Sequence, residues 1–316
     1  MTIPLKELPV GTSVQVEVPA TSANLGPGYD SFGLGLDLMD SLTFTVLESG
    51  FTAEIHGEGA SYLPRDERHL VLATAQNYLA ERGYKAPGLE LIAQNRIPHS
   101  RGMGSSAAAL VGAAAGADAL LPAEARGGVD AVFQYASKLE GHPDNVAPAV
   151  YGGMTVSWTI QPGEYGAISA TPLTQIIPVL FVPSFSLATS TARKVLPAQI
   201  AHAEAAENSA RAGLLVYALT QDPSVLLTAT EDRLHQQYRA ETMPDSYHLM
   251  AELRQAGHAA VISGAGPTVL CFARTQEEAQ TVSAMPQSVF GEQATQWRVQ
   301  IAGVNTKGVT VREHRQ

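Results

Sequence analysis

The sequence predicts an α+β protein in two halves. Runs of alternating or β-branched residues indicate strands, and stretches in which apolar residues recur every three or four positions indicate helices. Both patterns occur in the first half of the chain and start again in the second half, after a less regular segment. With 316 residues, 45% of them hydrophobic, the chain has enough material for about two domains.

The first half alternates between the two kinds of element. The patterns predict strands over residues 13–19, 42–47, 89–97 and 154–160, because alternation presents one face of a strand to a core. Helices with good helix-forming residues, some of them bounded by glycine, are predicted over residues 70–82, 105–121 and 129–140.

A segment that contains proline and glycine, residues 161–173, is the predicted boundary between the halves. We therefore expect an N-terminal domain over residues 1–165 and a C-terminal domain over residues 166–316. The strands predicted in the second half cover residues 176–183, 259–263, 268–273 and 297–302. The helices predicted there cover residues 198–219, 225–234 and 245–255.

Composition excludes several classes of function. Lysine and arginine number 20 against 30 for aspartate and glutamate, and the net charge of −10 disfavours a protein that needs a basic face for nucleic acid. Any polyanion would have to be held at a local site. The single cysteine, Cys271, cannot form an intramolecular disulfide and is interpreted as a small buried apolar residue, which favours a reducing compartment.

No segment predicts export or insertion into a membrane. Residues 1–10 lack the basic segment and long apolar run of a signal peptide, so we expect a cytoplasmic protein. The most apolar stretch, residues 107–121, is too short for a membrane span and contains Asp118. A homodimer is expected only because closed dimers are the commonest oligomers.

The strongest chemical signal is a glycine-rich turn between a predicted strand and the helix at 105–121. Gly102 and Gly104 let backbone amides approach an anion, because no Cβ stands in the way. Ser105 and Ser106 add hydroxyls at the first helical turn, where the helix dipole favours negative charge. The whole candidate loop consists of Pro98, His99, Ser100, Arg101, Gly102, Met103, Gly104, Ser105, Ser106, Ala107 and Ala108.

Three other interpretations of this turn are weaker. A tight strand-to-helix connection with a serine cap needs no ligand, and it remains the alternative for the loop taken alone. A Walker-type loop requires Gly-Lys followed by Ser or Thr, which occurs nowhere in the chain. A dinucleotide fingerprint fits loosely, but four residues separate the predicted strand from Gly102 and no clear βαβ unit follows.

The turn resembles the Pro-x-x-x-Gly-Leu-Gly-Ser-Ser-Ala-Ala phosphate loop of the GHMP small-molecule kinases, with Met103 as a volume-conserving replacement of the usual leucine. Residues 18–30 and 263–268 resemble the first and third motifs of that family, so the resemblance spans most of the chain. It implies a two-domain GHMP kinase fold, with an N-terminal domain like domain 2 of ribosomal protein S5 and a ferredoxin-like C-terminal domain. ATP and its acceptor would lie in the cleft between the domains.

Two further segments resemble those of the homoserine kinases within this family. They are residues 140–149 and residues 232–239, and they imply L-homoserine as the small-molecule acceptor. Some homoserine kinases have a longer loop between the residues that match Glu140 and His142. Two alternatives stay open: a GHMP kinase with a mevalonate-type or sugar acceptor, and an inactive regulatory module of the same fold.

The resemblance also implies roles for individual residues. ATP would bind with Mg²⁺, and Ser105 or Ser106 together with Glu140 would lie near the metal, since Mg²⁺ commonly takes one or two protein oxygens. Asn24 would face the substrate hydroxyl and Asp30 the substrate ammonium group. Read without the family, Asn24 and Asp30 are turn residues and Glu140 is a solvated acid at a helix end.

A substrate carboxylate requires fixed cations in an acidic protein, and arginine offers a planar two-point fork. Arg193 and Arg239 match the carboxylate contacts of the family. Less supported alternatives are Arg101, Arg211 and Arg233. The remaining candidates for substrate binding are His142, Asn145 and Gly264.

Asp144 is the obvious carboxylate for a general base, but a loose phosphoryl transfer can pass the hydroxyl proton directly to phosphate. Asp144 would then orient Asn145 or His142, so its role stays open. We expect catalysis that is dominated by positioning. The candidate catalytic residues are Asn24, Glu140, Asp144 and Asn145.

Overall fold

A computed structural model describes residues 4–314 of the chain. The strands are, in chain order, β1 (Lys6–Glu7), β2 (Ser13–Ala23), β3 (Phe32–Leu47), β4 (Gly50–Gly57), β5 (Tyr84–Lys85), β6 (Gly88–Asn95), β7 (Met154–Gln161), β8 (Glu164–Ala170), β9 (Ile177–Pro183), β10 (Ala259–Ile262), β11 (Val269–Ala273), β12 (Trp297–Ile301) and β13 (Thr310–His314). The helices are α1 (Leu70–Glu81), α2 (Ser105–Leu120), α3 (Gly128–Glu140), α4 (Val146–Tyr151), α5 (Thr189–Lys194), α6 (His202–Thr220), α7 (Leu226–Ala229), α8 (Gln236–Arg239), α9 (Pro244–Gln255), α10 (Gln276–Ser283) and α11 (Met285–Phe290).

The larger of the two main sheets belongs to the N-terminal half. Its strands follow the order β13-β2-β3-β6-β4, and β7 and β8 continue the sheet from the other end of β3. Strand β3 serves both branches, because residues 32–34 pair with β7 and residues 41–47 pair with β6. Alternation selects the buried face, which in β2 includes Val14, Val16 and Val18.

Helix α2 packs directly on this sheet, and its Ala- and Gly-rich sequence follows from that contact. A Cβ added at Gly112 would lie 2.5 Å from Leu42 Cδ1, and one at Gly116 would lie 2.3 Å from Phe44 Cε2. Glycine at these two positions therefore lets α2 approach β3 closely. The approach fixes where the N-terminus of α2 lies.

Asp118, which interrupts the apolar run of α2, is a satisfied buried carboxylate. Its Oδ1 accepts hydrogen bonds from the Tyr78 hydroxyl at 2.8 Å and from the Gly127 N–H group at 2.7 Å, and its Oδ2 accepts from the Gly128 N–H group at 3.1 Å.

Within residues 4–314, no helix combines the length and the apolar character that crossing a membrane requires.

The second main sheet belongs to the C-terminal half and is antiparallel, with the strand order β10-β11-β9-β12. Helices connect β9 to β10 and β11 to β12, which is the ferredoxin-like order that the family resemblance implies. Cys271 lies in β11 with no solvent exposure, and burial raises the pKa of its thiol to about 12. The interpretation of Cys271 as a buried apolar residue is confirmed.

Most predicted elements are present, and two predictions are wrong. The irregular segment expected over residues 161–173 contains β8, which pairs with β7 from Met154–Ala170 to Gln161–Glu164. The helix expected over residues 225–234 is reduced to α7, because Asp232 accepts backbone hydrogen bonds from residues 234–236 and turns the chain. The division at residue 165 stays a prediction: that residue lies inside β8, and β13 returns to the N-terminal sheet.

Candidate active site

A cleft opens where the N-terminus of α2 meets the C-terminal half of the chain. Most of the residues that the sequence predicts for the site line this cleft, although they come from six separate segments. They are Asn24, Asp30, Ser100, Gly102, Met103, Gly104, Ser105, Ser106, Glu140, His142, Asp144, Asn145, Arg193, Arg239 and Gly264. Thr189 and Ala265 complete the lining.

The phosphate loop has the geometry of an anion site. Gly104 ends the loop in the left-handed conformation, with φ at 68°, and α2 begins at the next residue. No side chain caps this helix N-terminus, so its first N–H groups and the positive end of its dipole are available to an anion in the cleft. A Cβ at Gly104 would lie 1.9 Å from Thr21 Oγ1, and one at Gly102 would lie 2.2 Å from the Ser263 carbonyl oxygen.

Five residues of the predicted loop do not line this cleft. Pro98, Ala107 and Ala108 are buried, because they pack into the core behind the loop. His99 lies on the far side of the loop, where its Nδ1 atom is 2.9 Å from the Tyr62 hydroxyl. These four residues therefore lie beside or beneath the cleft, and their part in binding the cofactor stays a prediction.

Arg101 is the fifth residue outside the cleft. Its guanidinium group donates to the backbone carbonyl oxygens of His99, Pro183 and Ser184 at 2.8, 3.0 and 2.7 Å. Its donors are therefore used to tie the loop to the end of β9. A part for Arg101 in binding the cofactor or the substrate carboxylate stays a prediction.

Ser106 and Glu140 meet at the edge of the anion site. The Ser106 hydroxyl donates to Glu140 Oε2 at 2.8 Å, because α3 packs on α2 and ends at Glu140. One carboxylate and one hydroxyl beside an anion site fit Mg²⁺, which takes few protein oxygens and keeps several waters. Within residues 4–314, no group of three or more His, Cys, Asp or Glu side chains could hold a metal. Of the two candidate serines, Ser106 contacts Glu140, and the role of Ser105 stays a prediction.

Asp144 is the centre of a buried polar cluster. Its Oδ1 atom accepts hydrogen bonds from His142 Nδ1 at 2.6 Å and from the Asn145 N–H group at 2.9 Å. Burial lowers the pKa of His142, but the hydrogen bond and the charge of Asp144 outweigh burial, so the net pKa of His142 is raised. Asn145 in turn accepts from the Thr21 hydroxyl at 2.9 Å through its Oδ1 atom. Asp144 thus orients both neighbours, and a base role for it stays a prediction.

The two residues expected to bind the ammonium and carboxylate groups of an amino-acid substrate contact each other. Arg193 Nη2 lies 2.8 Å from Asp30 Oδ1, and Arg193 Nη1 lies 3.0 Å from Asp30 Oδ2. The same Nη1 atom donates to the Tyr29 hydroxyl at 3.1 Å. About a third of each side chain is exposed, so both charged groups can be reached from the cleft.

Arg239 is almost completely buried, at 1% exposure, yet it lines the cleft. Its Nε donates to the Ala192 carbonyl at 3.1 Å, and its Nη1 donates to the Gly264 carbonyl and to His235 Nδ1, both at 3.0 Å. Within residues 4–314 it forms no ion pair with a carboxylate, and no hydrogen bond joins its Nη2 atom to the protein. Burial lowers the pKa of Arg239. A carboxylate bound in the cleft would supply the missing countercharge.

Asn24 holds the loop that carries Asp30. Asn24 itself is in the left-handed conformation, with φ at 68°. Its Oδ1 accepts from the Asp30 N–H group at 3.0 Å, and its Nδ2 donates to the Gly264 carbonyl at 2.8 Å. Since both ends of the amide are engaged, Asn24 links the two halves of the site, and its contact with a substrate hydroxyl stays a prediction.

The sequence did not predict a second pocket on the far side of the phosphate loop. The predicted phosphate loop supplies His99, Ser100, Ser105, Ser106 and Ala108 to this pocket. No local spacing joins them to the other lining residues, which come from several elements. Its apolar lining is Val18, Leu42, Leu63, Leu70, Val71, Ala108 and Ala109. Its polar lining is Asp40, Tyr62, His69, Asn95, His99, Ser100, Ser105 and Ser106.

Comparison with known proteins agrees with this geometry. Residues 69–153 match the family model of the GHMP kinases N terminal domain, and residues 215–291 match that of the GHMP kinases C terminal region. Homoserine kinase from Streptomyces coelicolor is 46% identical over 300 residues, which cover 95% of this chain and 94% of the relative. Homoserine kinase from Clavibacter michiganensis is 43% identical over 305 residues, which cover 96% and 95%.

Solved structures share the architecture. The crystal structure of homoserine kinase from Cytophaga hutchinsonii has a TM-score of 0.83 and 26% identity, over 95% of this chain and 97% of that one. The crystal structure of L. major mevalonate kinase in complex with R-mevalonate has a TM-score of 0.66 at 16% identity, over 97% of this chain and 99% of that one, and shares the fold. The two-domain GHMP kinase fold predicted from the sequence is therefore confirmed. The chain belongs to the GHMP kinase family, on the branch that contains the homoserine kinases.

Proposed function

We propose that this protein transfers the γ-phosphoryl group of ATP to the side-chain hydroxyl of L-homoserine, which gives ADP and O-phospho-L-homoserine, as a step in threonine biosynthesis. The observation that carries the proposal is the juxtaposition, in one cleft, of an uncapped helix N-terminus with Asp30, Arg193 and Arg239. The first feature suits a phosphate group. The other three suit a small molecule that has both a positive and a negative charge.

The nucleotide would span the phosphate loop. Its phosphates would bind the N–H groups at the start of α2, and its base and ribose would enter the apolar pocket behind the loop. Ser105 and Ser106 line both the cleft and this pocket, so one extended ligand can occupy both. This continuity supports ATP as the phosphoryl donor.

Ser106 and Glu140 would hold Mg²⁺ beside the phosphates. When bound, the metal ion neutralises charge on the phosphate oxygens. Glu140 supplies the negative charge for this site, and Ser106 is held against it at 2.8 Å. The hydrogen bond between the two residues keeps both oxygens at the edge of the cleft.

The acceptor would bind through its two charged groups. Asp30 would bind the ammonium group, and Arg193 and Arg239 would bind the carboxylate with planar guanidinium groups. The side-chain hydroxyl would then extend toward Asn145 and the phosphate loop. A site that pairs with three polar groups rejects an analogue that lacks one, because a buried group would be left unpaired.

The residues around the hydroxyl act mainly by positioning. Asp144 Oδ1 already accepts hydrogen bonds from His142 Nδ1 and from the Asn145 N–H group, and a longer one from Asn145 Nδ2 at 3.4 Å, so it helps to hold both side chains. In a loose transfer the hydroxyl proton passes to phosphate late, and no strong base is required. An Asp144→Asn variant that retains most of its turnover would support this mechanism, and a loss of several orders of magnitude would exclude it.

A coupled assay of ADP release tests the function. The panel consists of L-homoserine, L-serine, L-threonine, mevalonate and galactose with MgATP, and a reaction without acceptor is the control. We expect turnover with L-homoserine well above that with L-serine, and none with mevalonate or galactose. Turnover only with mevalonate or galactose would support a small-molecule kinase and exclude L-homoserine as its acceptor. ATP binding without turnover on any acceptor would indicate an inactive module.

A further inference from the structure

We propose that His235 is a positioning residue for the carboxylate of the acceptor: as a neutral imidazole it holds the Arg239 guanidinium group in the orientation that binds this carboxylate. The inference rests on the proposed function, since the carboxylate is that of the amino-acid acceptor. His235 does not line the cleft, and it acts through Arg239.

His235 has no solvent exposure and lies between two functional segments. Its Nε2 atom is 2.8 Å from the carbonyl oxygen of Gly26, in the loop that leads to Asp30. Its Nδ1 atom is 3.0 Å from Arg239 Nη1, one helical turn further along the chain. The imidazole therefore contacts the substrate loop with one nitrogen and the buried arginine with the other.

These partners select one protonation state. Arg239 offers only N–H donors, so His235 Nδ1 must be the acceptor, and the Gly26 carbonyl accepts, so Nε2 must carry the proton. Burial, with a smaller effect of the Arg239 charge, holds the pKa of His235 below its ordinary value against the opposing charge of Asp232. The imidazole is thus a fixed acceptor for the guanidinium group.

The hydrogen bond from Arg239 to His235 decides which guanidinium atoms face the cleft. Bonds to Ala192, His235 and Gly264 use the Nε and Nη1 atoms, so Nη2 is left for a ligand. Without the Nδ1 acceptor, an Nη1 hydrogen would be buried without a partner. Rotation of the guanidinium group to satisfy it would take Nη2 away from the carboxylate.

Two substitutions separate the two hydrogen bonds of the ring. In His235→Asn the Oδ1 atom replaces Nδ1 as the acceptor for Arg239, whereas in His235→Gln the Nε2 atom replaces the donor to Gly26 and the acceptor position is lost. We expect His235→Gln to raise the KM for L-homoserine by about 10- to 100-fold, the range of one charge-assisted hydrogen bond. We expect kcat and the KM for ATP to change less than about threefold, because no reacting atom is touched. His235→Asn should restore the KM to near that of the wild type.

An analogue without the carboxylate makes the test specific. The inhibition constants of L-2-aminobutyrate, which keeps the ammonium and carboxylate groups, and of 3-aminopropan-1-ol, which lacks the carboxylate, are measured against L-homoserine. His235→Gln should raise the inhibition constant of L-2-aminobutyrate by the same factor as it raises the KM for L-homoserine. It should leave the inhibition constant of 3-aminopropan-1-ol unchanged. His258→Gln, which replaces a histidine that pairs with Glu278 outside the cleft, is the control variant.

The outcomes distinguish this inference from the proposed function. Failure of the wild type to phosphorylate L-homoserine would overturn both. If the wild type phosphorylates L-homoserine, two results would overturn only the positioning role. One is an equal loss of affinity for both inhibitors in His235→Gln, and the other is a KM for L-homoserine that His235→Asn does not restore. Thermal denaturation of each variant identifies a loss that comes from unfolding, and a folded His235→Gln with an unchanged KM would also overturn the inference.

Discussion

Asp30 and Arg193 form a two-point ion pair in the lining of the cleft, with oxygen–nitrogen distances of 2.8 and 3.0 Å. The two groups are complementary to the ammonium and carboxylate groups of an amino acid. Binding of such a ligand therefore exchanges one internal ion pair for contacts of each partner with the ligand. Since both side chains are about one-third exposed, the internal pair contributes little stability, and the exchange has a low cost.

This exchange makes the two residues energetically coupled. Asp30→Asn and Arg193→Gln should each raise the KM for L-homoserine by about 10- to 100-fold, because each removes a charge-assisted contact. The double variant should raise the KM by less than the product of the two single effects, because the effects of substituting two residues in contact are not additive in free energy. Steady-state kinetics of the four proteins measures the coupling. Arg233→Gln, which breaks a surface pair with Glu207, is the control, and multiplicative losses would contradict the coupling.

Gly104→Ala should abolish ATP binding and lower stability. Its Cβ would lie 1.9 Å from Thr21 Oγ1 and 3.0 Å from Asn145 Oδ1, at a backbone φ of 68°. Gly163→Ala is the matched control, because its φ of 81° imposes the same backbone strain and no atom lies within 4 Å of the added Cβ. The strain alone costs about 1–2 kcal/mol. Equal losses of melting temperature and ATP affinity in both variants would contradict the role assigned to packing at Gly104.

Glu140→Gln should raise the Mg²⁺ concentration required for half-maximal activity by about tenfold or more, because a neutral amide is a much weaker ligand for a hard cation. Ser106→Ala should act in the same direction with a smaller effect. Ser105→Ala should change the requirement less than Ser106→Ala, because Ser106 is the serine that contacts Glu140. Titration of activity with Mg²⁺ at saturating ATP measures all three. A reversed order of the two serines would reassign the metal ligand.

Local pattern was sufficient for the elements that surround the site. The strand at residues 13–19 and the helix at 105–121 have strong periodicity. The helix occurs at its predicted limits to within one residue, and the strand begins where predicted but continues to Ala23. Strand β8 was missed because Gly163 and the polar residues near it resemble a loop. The segment forms a strand because it pairs with β7. Strand β13 was missed because its partner β2 lies about 300 residues away in the sequence, and no local signal reports such a pairing.

The sequence predicts which residues form the site, but it does not predict how they contact each other. Motif resemblance gives Asp30, Arg193 and Arg239, but spacing along the chain says nothing about an ion pair between residues that are 163 positions apart. The same holds for the His235–Arg239 contact. These two residues are four positions apart, a helical spacing, and only the depth of their burial shows that the imidazole accepts from the guanidinium group.

The raised pKa of His142 predicts a pH dependence of stability. A group whose pKa is higher in the folded state stabilises the fold fully below its unfolded value of 6.5, and this stabilisation is lost as the pH rises through the folded value. The melting temperature of the wild type relative to His142→Gln should therefore be higher at pH 6 than at pH 8.5. Asp144→Asn should remove most of this difference, because Asp144 supplies the hydrogen bond and the charge. A difference that grows with pH would contradict the pairing.

The charged form of Asp40 destabilises the fold, whereas the charged form of His142 stabilises it. Burial raises the pKa of its carboxyl group to about 6, although Oδ1 accepts hydrogen bonds from the N–H groups of Arg96 and Ile97 at 2.6 and 2.9 Å. Asp40→Asn keeps that acceptor without the charge and should raise the melting temperature at pH 8. The gain should shrink as the pH falls through 6, because the wild-type carboxyl group is then protonated in the folded state. Asp40→Ala leaves two N–H groups without their acceptor and should be destabilised at every pH, by about 1–3 kcal/mol for each group. Thermal denaturation at pH 5 and 8 measures both variants, and an Asp40→Asn protein less stable than the wild type at pH 8 would show that the two N–H groups require the charge.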